Sequence, residues 1–404
     1  MKNAIEKINA SESALKSAKA ERILKLNAEV NTGYNKIIST LQQPATITIM
    51  AQEVKLPEPS FSPWNNEISV RLSQPLYTGG KISNTIKRVK IIRDSSLYEK
   101  KLNEIELCLD VSGAYWELKR AILFKKLYQN RREHSENILE IAKSRFEAGE
   151  IPKIELRQQE VALANISCEL FNAQTSLDIA QERLCLLLNI TNDNNIIPID
   201  EPQVPEKFPY QQIDLIKMAL TNRLEIQLAE KKIEEKESII KITKSKKYPQ
   251  IYLIVNHNWS AKEDEFDKSI SETKATSWQV ALTGSLLIFD GKQTSSEVEK
   301  ALSELKMAKI ELEDLKSKIK NEVSQVYKKL VNAKQIVETQ IKNLSIAKEN
   351  LKIATLQYKL GRITNTQLNE TELALKDANT KLIEAQIDYK IQEARLKKVI
   401  GDYQ

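Results

Sequence analysis

The chain carries one pattern twice. QPLYTGGK, starting at Gln74, aligns with LLIFDGKQ, starting at Leu286, so that Tyr77 meets Phe289 and Gly79 meets Gly291 at an offset of 212 residues. RFEAGEIPKIELRQQEVAL, starting at Arg145, aligns with QYKLGRITNTQLNETELAL, starting at Gln357, at the same offset. Phe146 then meets Tyr358, Gly149 meets Gly361, Leu156 meets Leu368 and Glu160 meets Glu372. Two glycine motifs that keep one register across a long intervening segment mark a duplicated unit. Upstream the offset becomes 225: Ile8, Glu12 and Ser13 meet Ile233, Glu237 and Ser238, and Val30 and Asn31 meet Val255 and Asn256. The 13-residue difference must fall between, in roughly 35–65 against 260–275, and a segment of variable length reads as loop.

The stretch from Thr191 to Tyr210, with Pro198, Pro202, Pro205 and Pro209, joins the two repeats. Prolines lack an amide donor and favour extended backbone, so this stretch does not continue a helix. The first repeat, 1–198, is expected to hold a helix, strands about 26–35 and 66–77, a long helix about 80–147 and a helix about 152–190. The second, 199–404, is expected to hold a helix about 210–246, strands about 250–259 and 276–289, a long helix about 292–359 and a helix about 364–402. YQQIDLIKMALTNRLEIQ has no counterpart before Met1. The first repeat is therefore expected to be truncated at its N-terminus, with any signal peptide missing from the sequence.

No proline interrupts the chain from about Gly80 to Glu147 or from about Lys292 to Leu360. Each such helix would be ~100 Å long at its rise per residue. Ile319, Val323, Val326, Leu330, Ala333, Val337 and Leu344 follow alternating steps of four and three, with polar Gln340 in the remaining slot, which is a heptad seam. A helix this long cannot bury its stripe within one domain and must pack along other long helices. A soluble coiled-coil scaffold or tether would carry the same helices.

The strands separate these readings. Ile68, Val70 and Leu72 oppose Ser69, Arg71 and Ser73; Trp278, Val280 and Leu282 oppose Gln279, Thr283 and Ser285. Ala28, Val30 and Tyr34 oppose Asn27, Glu29 and Asn35; Ile251, Leu253, Val255 and Trp259 oppose Tyr252, Asn256 and Asn258. Alternation of this kind places apolar and polar groups on opposite faces of a sheet. Strands of ~10 residues cross a hydrocarbon layer when tilted, and the polar face suits a watery lumen. Tyr77, Phe289, Trp259 and Trp278 sit near strand ends, where aromatic girdles occur. A half-buried soluble hairpin would alternate in the same way; four such strands, read as the only strands and flanked by very long helices, favour the membrane. Four strands cannot close a barrel, and lipid does not tolerate open edges. The chain is thus expected to share a barrel with copies of itself, and three copies would give an even count inside the usual range.

Composition excludes other classes. The 61 basic and 55 acidic residues are interspersed, so the net charge of +6 reads as solvated helix faces and no nucleic-acid partner is expected. Cys108, Cys168 and Cys185 have no CxxC spacing, and His134 and His257 lie far apart, so no metal site is expected. No apolar run approaches the ~18 residues of a membrane helix. GxxxxGK[ST], GxGxxG after a strand, HExxH and GxSxG are absent from the sequence. No enzyme activity, catalytic residue or cofactor is expected.

At SQPLYTGGK, LLIFDGK, RFEAGEI and QYKLGRITNTQL the sequence resembles the TolC family of outer-membrane efflux proteins, over nearly the whole chain. The resemblance implies a mainly α fold with a small β part. Three protomers would form a twelve-stranded transmembrane β-barrel in the outer membrane of a diderm bacterium, continued by a helical α-barrel of antiparallel coiled coils in the periplasm. It also settles the choice of three copies over two or four. Gly79, Gly80 and Gly291 would mark the barrel-to-helix turns, with Lys292 departing from the second glycine of the first repeat. Gly149 and Gly361 would mark the periplasmic tips that touch an adaptor protein. By position, Tyr358 and Arg362 match residues that hold the duct closed, and Glu155 matches their acidic partner. Gln367 and Glu370 match a lumen-facing pair that is usually two aspartates, so a carboxylate ring here would be less acidic. The implied function is a passive exit duct of a tripartite efflux or type I secretion system. Its partners would be a periplasmic adaptor, an inner-membrane pump of RND or ABC type, and outer-membrane lipid.

Overall fold

A computed structural model of the chain describes residues 2–34, 46–49, 52–55, 64–191, 196–205, 211–263 and 275–402. The chain divides into two compact units. One comprises Ile5–Ser96 and Lys231–Lys309; the other comprises Met1–Ala4, Leu97–Glu230 and Ile310–Gln404. In chain order the elements are α1 Lys2–Ala20, β1 Lys25–Tyr34, β2 Thr46–Ile49, β3 Gln52–Lys55, β4 Trp64–Tyr77, α2 Lys81–Glu147 and α3 Lys153–Leu188. There follow α4 Gln212–Asn222, α5 Leu224–Lys244, β5 Gln250–Glu263, β6 Ala275–Ser285, α6 Gln293–Lys359 and α7 Asn365–Ile400.

In the long helices the duplication is repeated residue for residue. Helices α2 and α6 are both 67 residues long, and α3 and α7 are both 36. Each start and end of the second pair lies 212 residues after its counterpart. The caps follow the same rule: Asn189 ends α3 and Gly401 ends α7, both in the left-handed region at φ 53° and 75°. Gly113 lies inside α2 without breaking it, and a side chain there would meet nothing within 4 Å.

The unit that contains the strands is built on an antiparallel sheet of order β1-β4-β5-β6. Its register gathers the alternating residues onto two faces. Leu26, Ala28 and Val30 of β1 lie opposite Leu72, Val70 and Ile68 of β4, which lie opposite Val255, His257 and Trp259 of β5. Leu253, Val255 and His257 in turn face Leu282, Val280 and Trp278 of β6. On the edge strands this apolar face is uncovered, with Leu26, Val30, Trp278, Val280 and Leu282 all at least 66% exposed, while Val70, Leu72, Val255 and Trp259 of the inner strands are half-buried. His257 is its one titratable member among these pairs, with its ring stacked on Trp278 at 3.9 Å between centroids. Three ion pairs fasten the helices of this unit: Arg88 to Glu235 at 3.0 Å, Lys236 to Glu304 at 2.8 Å and Lys246 to Glu297 at 2.5 Å.

Each helix that follows a strand pair starts from a turn with two consecutive left-handed residues. Gly79 and Gly80 have φ 60° and 83°; Gly291 and Lys292 have φ 61° and 71°. Lys81 N–H donates to Thr78 O at 3.0 Å, and Gln293 N–H donates to Asp290 O at 3.2 Å, again 212 residues on. Lysine thus keeps the backbone of the glycine it replaces, at a cost of about 1–2 kcal/mol for an L-residue there.

The largely helical unit has its core along the helix seams. On α6, Ile319, Val323, Leu330, Ala333, Val337, Ala347 and Ala354 are buried at steps of four, seven, three, four, ten and seven, all of them positions of the heptad read from sequence. A second cluster packs Ala114 and Leu118 of α2 on Leu184 of α3, with Ile196 from the connecting segment alongside. That segment is held by Lys119, whose ammonium meets Glu201 at 3.0 Å, and by Tyr115, whose hydroxyl donates to Asp200 at 2.6 Å.

The structure departs from the sequence reading in four places. The helix expected over 210–246 is two helices, because Arg223 leaves helical backbone at ψ 126°. Its guanidinium, 7% exposed as a residue, is held by Glu225 at 2.6 Å and Glu322 at 2.5 Å. Burial alone would favour losing the charge, but the two carboxylates outweigh it and hold Arg223 protonated. The strands are not four alone: β2 and β3 form a separate hairpin within the segment read as loop. The strand expected over 276–289 ends at Ser285, and Leu286–Phe289 have no regular structure. The strand expected over 250–259 continues to Glu263. The rest of the loops expected over 35–65 and 260–275, with Asn35, Pro209 and Tyr210, lies largely outside the described residues.

The two turns predict different responses to one substitution. A Cβ on Gly79 would stand 2.7 Å from Tyr248 Cβ and 2.9 Å from Ser245 O, whereas one on Gly291 would meet nothing within 4 Å. Gly291→Ala should cost only the torsional ~1–2 kcal/mol. Gly79→Ala should cost several kcal/mol more, since backbone must move. Helical circular dichroism melts in detergent, compared between the two variants, check the order.

Candidate functional site at the helix tips

The sequence motifs around Gly149 and Gly361 converge in the helical unit. Helix α2 closes with Gly149 at φ 76°, whose N–H donates to Phe146 O at 2.9 Å while Glu150 N–H donates to Arg145 O at 2.9 Å. Helix α6 closes the same way: Gly361 at φ 70° donates to Tyr358 O at 3.0 Å and Arg362 N–H to Gln357 O at 2.9 Å. This pair of bonds satisfies carbonyls that a helix end leaves bare, and it needs a left-handed residue at the position both glycines occupy.

Between the tips stands Arg145, which sequence reasoning passed over. Its guanidinium lies over the Tyr358 ring at 5.1 Å, and Nη1 donates to Tyr358 O at 3.3 Å. Its Nε meets Glu150 at 3.2 Å. One side chain therefore ties the end of α2 to the end of α6 by a cation–π contact and a carbonyl bond. Tyr358 is 1% exposed and packs with Ile138, Ala354 and Leu368. Among the described residues its hydroxyl makes no hydrogen bond of good geometry, although the Arg145 guanidinium acts on it. Burial raises its pKa above the ordinary phenol range; Arg145 opposes that shift and the Glu155 carboxylate adds to it. The equivalent Phe146 is 37% exposed, so the two tips are not interchangeable.

A second tie joins the starts of α3 and α7. Gln159 donates its amide to Asn365 Oδ1, and Asn365 Nδ2 donates to Gln158 Oε1 at 3.1 Å. Gln159 and Asn365 are each 2% exposed. Further along, Glu169 of α3 accepts from Arg131 of α2 at 2.7 Å and from Lys376 of α7. Neither tie was legible beforehand, because the offset of 212 pairs Gln159 with Thr371 and Asn365 with Lys153.

The other residues singled out from sequence are distributed as follows. Glu155 is half-buried in the first turn of α3. Arg362 is exposed and, among the described residues, has no ion pair within the chain, so one protomer does not bring Arg362 and Glu155 together. Gln367 closes the capping box of α7: its Oε1 accepts from Thr364 N–H at 3.0 Å, and its own N–H donates to Thr364 Oγ1 at 3.3 Å. The spacing Thr364-x-x-Gln367 is the sequence signal by which this cap could have been found. Glu370 is exposed and lines, with Ile154, Arg157, Val161 and Leu373, an open groove of about 520 Å³ between α3 and α7.

The sheet supplies the remaining polar surface of interest. On the face opposite the apolar one, Arg71 Nε donates to Asn256 Oδ1 at 3.0 Å and Asn256 Nδ2 to Gln279 Oε1 at 3.3 Å. Asn27 lies opposite Arg71 in the register, so one polar row crosses all four strands. Among the described residues no helix is long and apolar enough to cross a membrane.

A sheet with one polar and one bare apolar face, joined to paired long helices in a duplicated frame, defines the fold of outer-membrane channels. Solved structures agree. The outer membrane protein VceC of Vibrio cholerae superposes with a TM-score of 0.78 at 16% identity, over 98% of this chain and 92% of that one. The open-state MtrE outer membrane channel of Neisseria gonorrhoeae gives 0.75 at 16%, over 99% and 85%. Nodulation protein T of Rhizobium leguminosarum bv. trifolii is 22% identical over 389 residues, 94% of this chain and 81% of the relative. The model of the outer membrane efflux protein family matches residues 1–189 and again 215–402, once in each repeat. The chain belongs to that family.

Tyr358 offers a clean test of the tip core. Tyr358→Phe removes a buried hydroxyl that has no well-formed bond among the described residues and should leave stability within about 1 kcal/mol of wild type or raise it. Tyr358→Ala should cost about 3–5 kcal/mol. Urea unfolding of the helices in detergent measures both.

Proposed function

We propose that the chain is a protomer of a trimeric outer-membrane export duct, a passive conduit that a periplasmic adaptor and an inner-membrane pump open and energise. The observation that carries this reading is the sheet. Its apolar face is bare, and β1 and β6 each keep one unpaired edge among the described residues. In lipid an apolar face is favourable and an unpaired edge is not, so the strands close only with other copies. Exposed helix residues support the same assembly: Ile154, Val161 and Cys168 on α3 stand at seven-residue steps, as do Ile346 and Ile353 on α6 with Leu360 just beyond. Such stripes are seams that lack their partners within one protomer.

Closure of the periplasmic end is assigned to the tips. Arg145 and Tyr358 hold the two hairpins of one protomer together, while Arg362 is left for the Glu155 carboxylate of a neighbouring copy. An Arg–carboxylate pair near the surface contributes at most a few kcal/mol, which docking contacts from an adaptor at the Gly149 and Gly361 tips can replace. Glu370 supplies three carboxylates to the trimer lumen, and Gln367 is tied into its cap. Cation selectivity at that ring is therefore weaker than two carboxylates per protomer would give.

Purified protein in planar bilayers tests the reading. A detergent-free, water-soluble monomer would overturn the duct. For the latch, Glu155→Arg or Arg362→Glu alone should raise conductance several-fold, and the combined charge swap should return it towards wild type. Single reversals that leave conductance unchanged remove the latch from the mechanism.

A further inference from the structure

The duplication carries information that a single repeat would not. It fixes how the free edges of the sheet meet in the assembly proposed above, on which this inference rests. Within the chain, β1 pairs with β4 so that Lys25 is opposite Ser73. Advancing Lys25 by 225 and Ser73 by 212 gives Gln250 and Ser285, which are opposite each other in the pairing of β5 with β6. The two offsets read from sequence therefore carry one ladder onto its counterpart without slip.

One further ladder, β4 with β5, joins the first repeat to the second. In an assembly of copies its counterpart is the contact between β6 and β1 of the next copy. The same offsets convert it. Ile68 opposite Trp259 becomes Val280 opposite Tyr34; Val70 opposite His257 becomes Leu282 opposite Thr32; Leu72 opposite Val255 becomes Gly284 opposite Val30. Three independent features agree with this register. Apolar-face residues meet apolar-face residues, whereas a slip of one would set every side chain against the wrong face. Gly284, around which a Cβ would find nothing within 4 Å, receives Val30, which is 72% exposed. Tyr34, whose ring is tilted against Trp64 at 4.9 Å between centroids, would meet Val280 as Trp259 meets Ile68, an aromatic ring against a β-branched side chain in both ladders.

The conversion also accounts for the early end of β6. In β4, Gln74, Pro75 and Tyr77 pair with β5 alone, because β1 stops opposite Ser73. Their counterparts are Leu286, Leu287 and Phe289. Inside one chain β5 stops opposite Ser285, so nothing remains for them to pair with. With Ile288 they make four exposed apolar side chains in a row, Ile288 and Phe289 at 91% and 83%. Leu76 is bulged out of the β4 ladder, and Ile288 occupies its place.

We propose that β6 pairs antiparallel with β1 of the next copy with Val280 opposite Tyr34, Leu282 opposite Thr32, Gly284 opposite Val30 and Ser285 opposite Glu29, and that Leu286–Phe289 extends β6 along Ala28–Leu26 when the copies assemble.

Disulfide trapping in the detergent-purified full chain tests it, with Cys108 and Cys168 changed to Ser and Cys185 to Ala. Directly opposed residues on neighbouring strands meet the Cα spacing of a disulfide, and diagonal ones do not. The in-register pairs are Leu282→Cys with Thr32→Cys, Thr283→Cys with Asn31→Cys on the other face, and Leu286→Cys with Ala28→Cys in the extension. The first two cover both kinds of antiparallel site. At least one of them, and the extension pair, should form intermolecular cross-links about tenfold faster than the diagonal pair Leu282→Cys with Val30→Cys. Faster trapping of the diagonal pair overturns the register and leaves the assembly standing. Trapping at both opposed pairs but not in the extension overturns the strand extension alone. No trapping at any pair in a species that light scattering shows to be a trimer overturns the seam. No trapping in a monomeric species overturns the assembly itself.

Discussion

Every backbone amide and carbonyl of a strand needs a partner, and the hydrocarbon of a membrane offers none. In this chain the inner strands β4 and β5 have partners on both sides, while β1 and β6 have them on one. The same sheet leaves Leu26, Val30, Trp278, Val280 and Leu282 each about two thirds or more exposed. Water penalises the apolar face and lipid penalises the bare edges, so neither solvent suits a single copy. Association of copies within a membrane removes both penalties together. The long helices follow from the same sheet, because each strand pair leads through a fixed left-handed turn into a helix of 67 residues.

Much of this was legible because duplication is arithmetic. The offsets of 212 and 225 placed Gly79 against Gly291 and Val30 against Val255, and the structure repeats them in helix ends, caps and ladders. Alternation identified the faces of all four sheet strands, since a period of two leaves little freedom about which residues share a side. The heptad on α6 was visible for the same reason. What stayed hidden depended on contacts between segments far apart in sequence. Arg145 looks like any basic residue near a helix end until Tyr358 is seen beneath it. Gln159 and Asn365 belong to different repeats and break the offset. The kink at Arg223 required Glu322, 99 positions away, to hold the guanidinium. The hairpin of β2 and β3 lies in the segment where the two repeats differ in length, where the duplication gives no guide.

The tips show how two copies of one motif acquire different tasks. Both end in the same bonded turn, yet Tyr358 is sealed in a core and Phe146 is partly open. The first copy contributes the cation and the second the aromatic ring, so cohesion at this end is a property of the pair. Gln367 is held in the cap of its own helix by Thr364, and Glu370 one turn on is exposed.

Lys292 holds the torsions of Gly80 without being glycine. What the second copy has preserved at that corner is therefore a pair of dihedral angles, while the residue that usually reports them has changed. Pattern matching keyed to paired glycines would pass over this junction, although a superposition of main chains would not. The letter at such a corner is a poor witness to its shape.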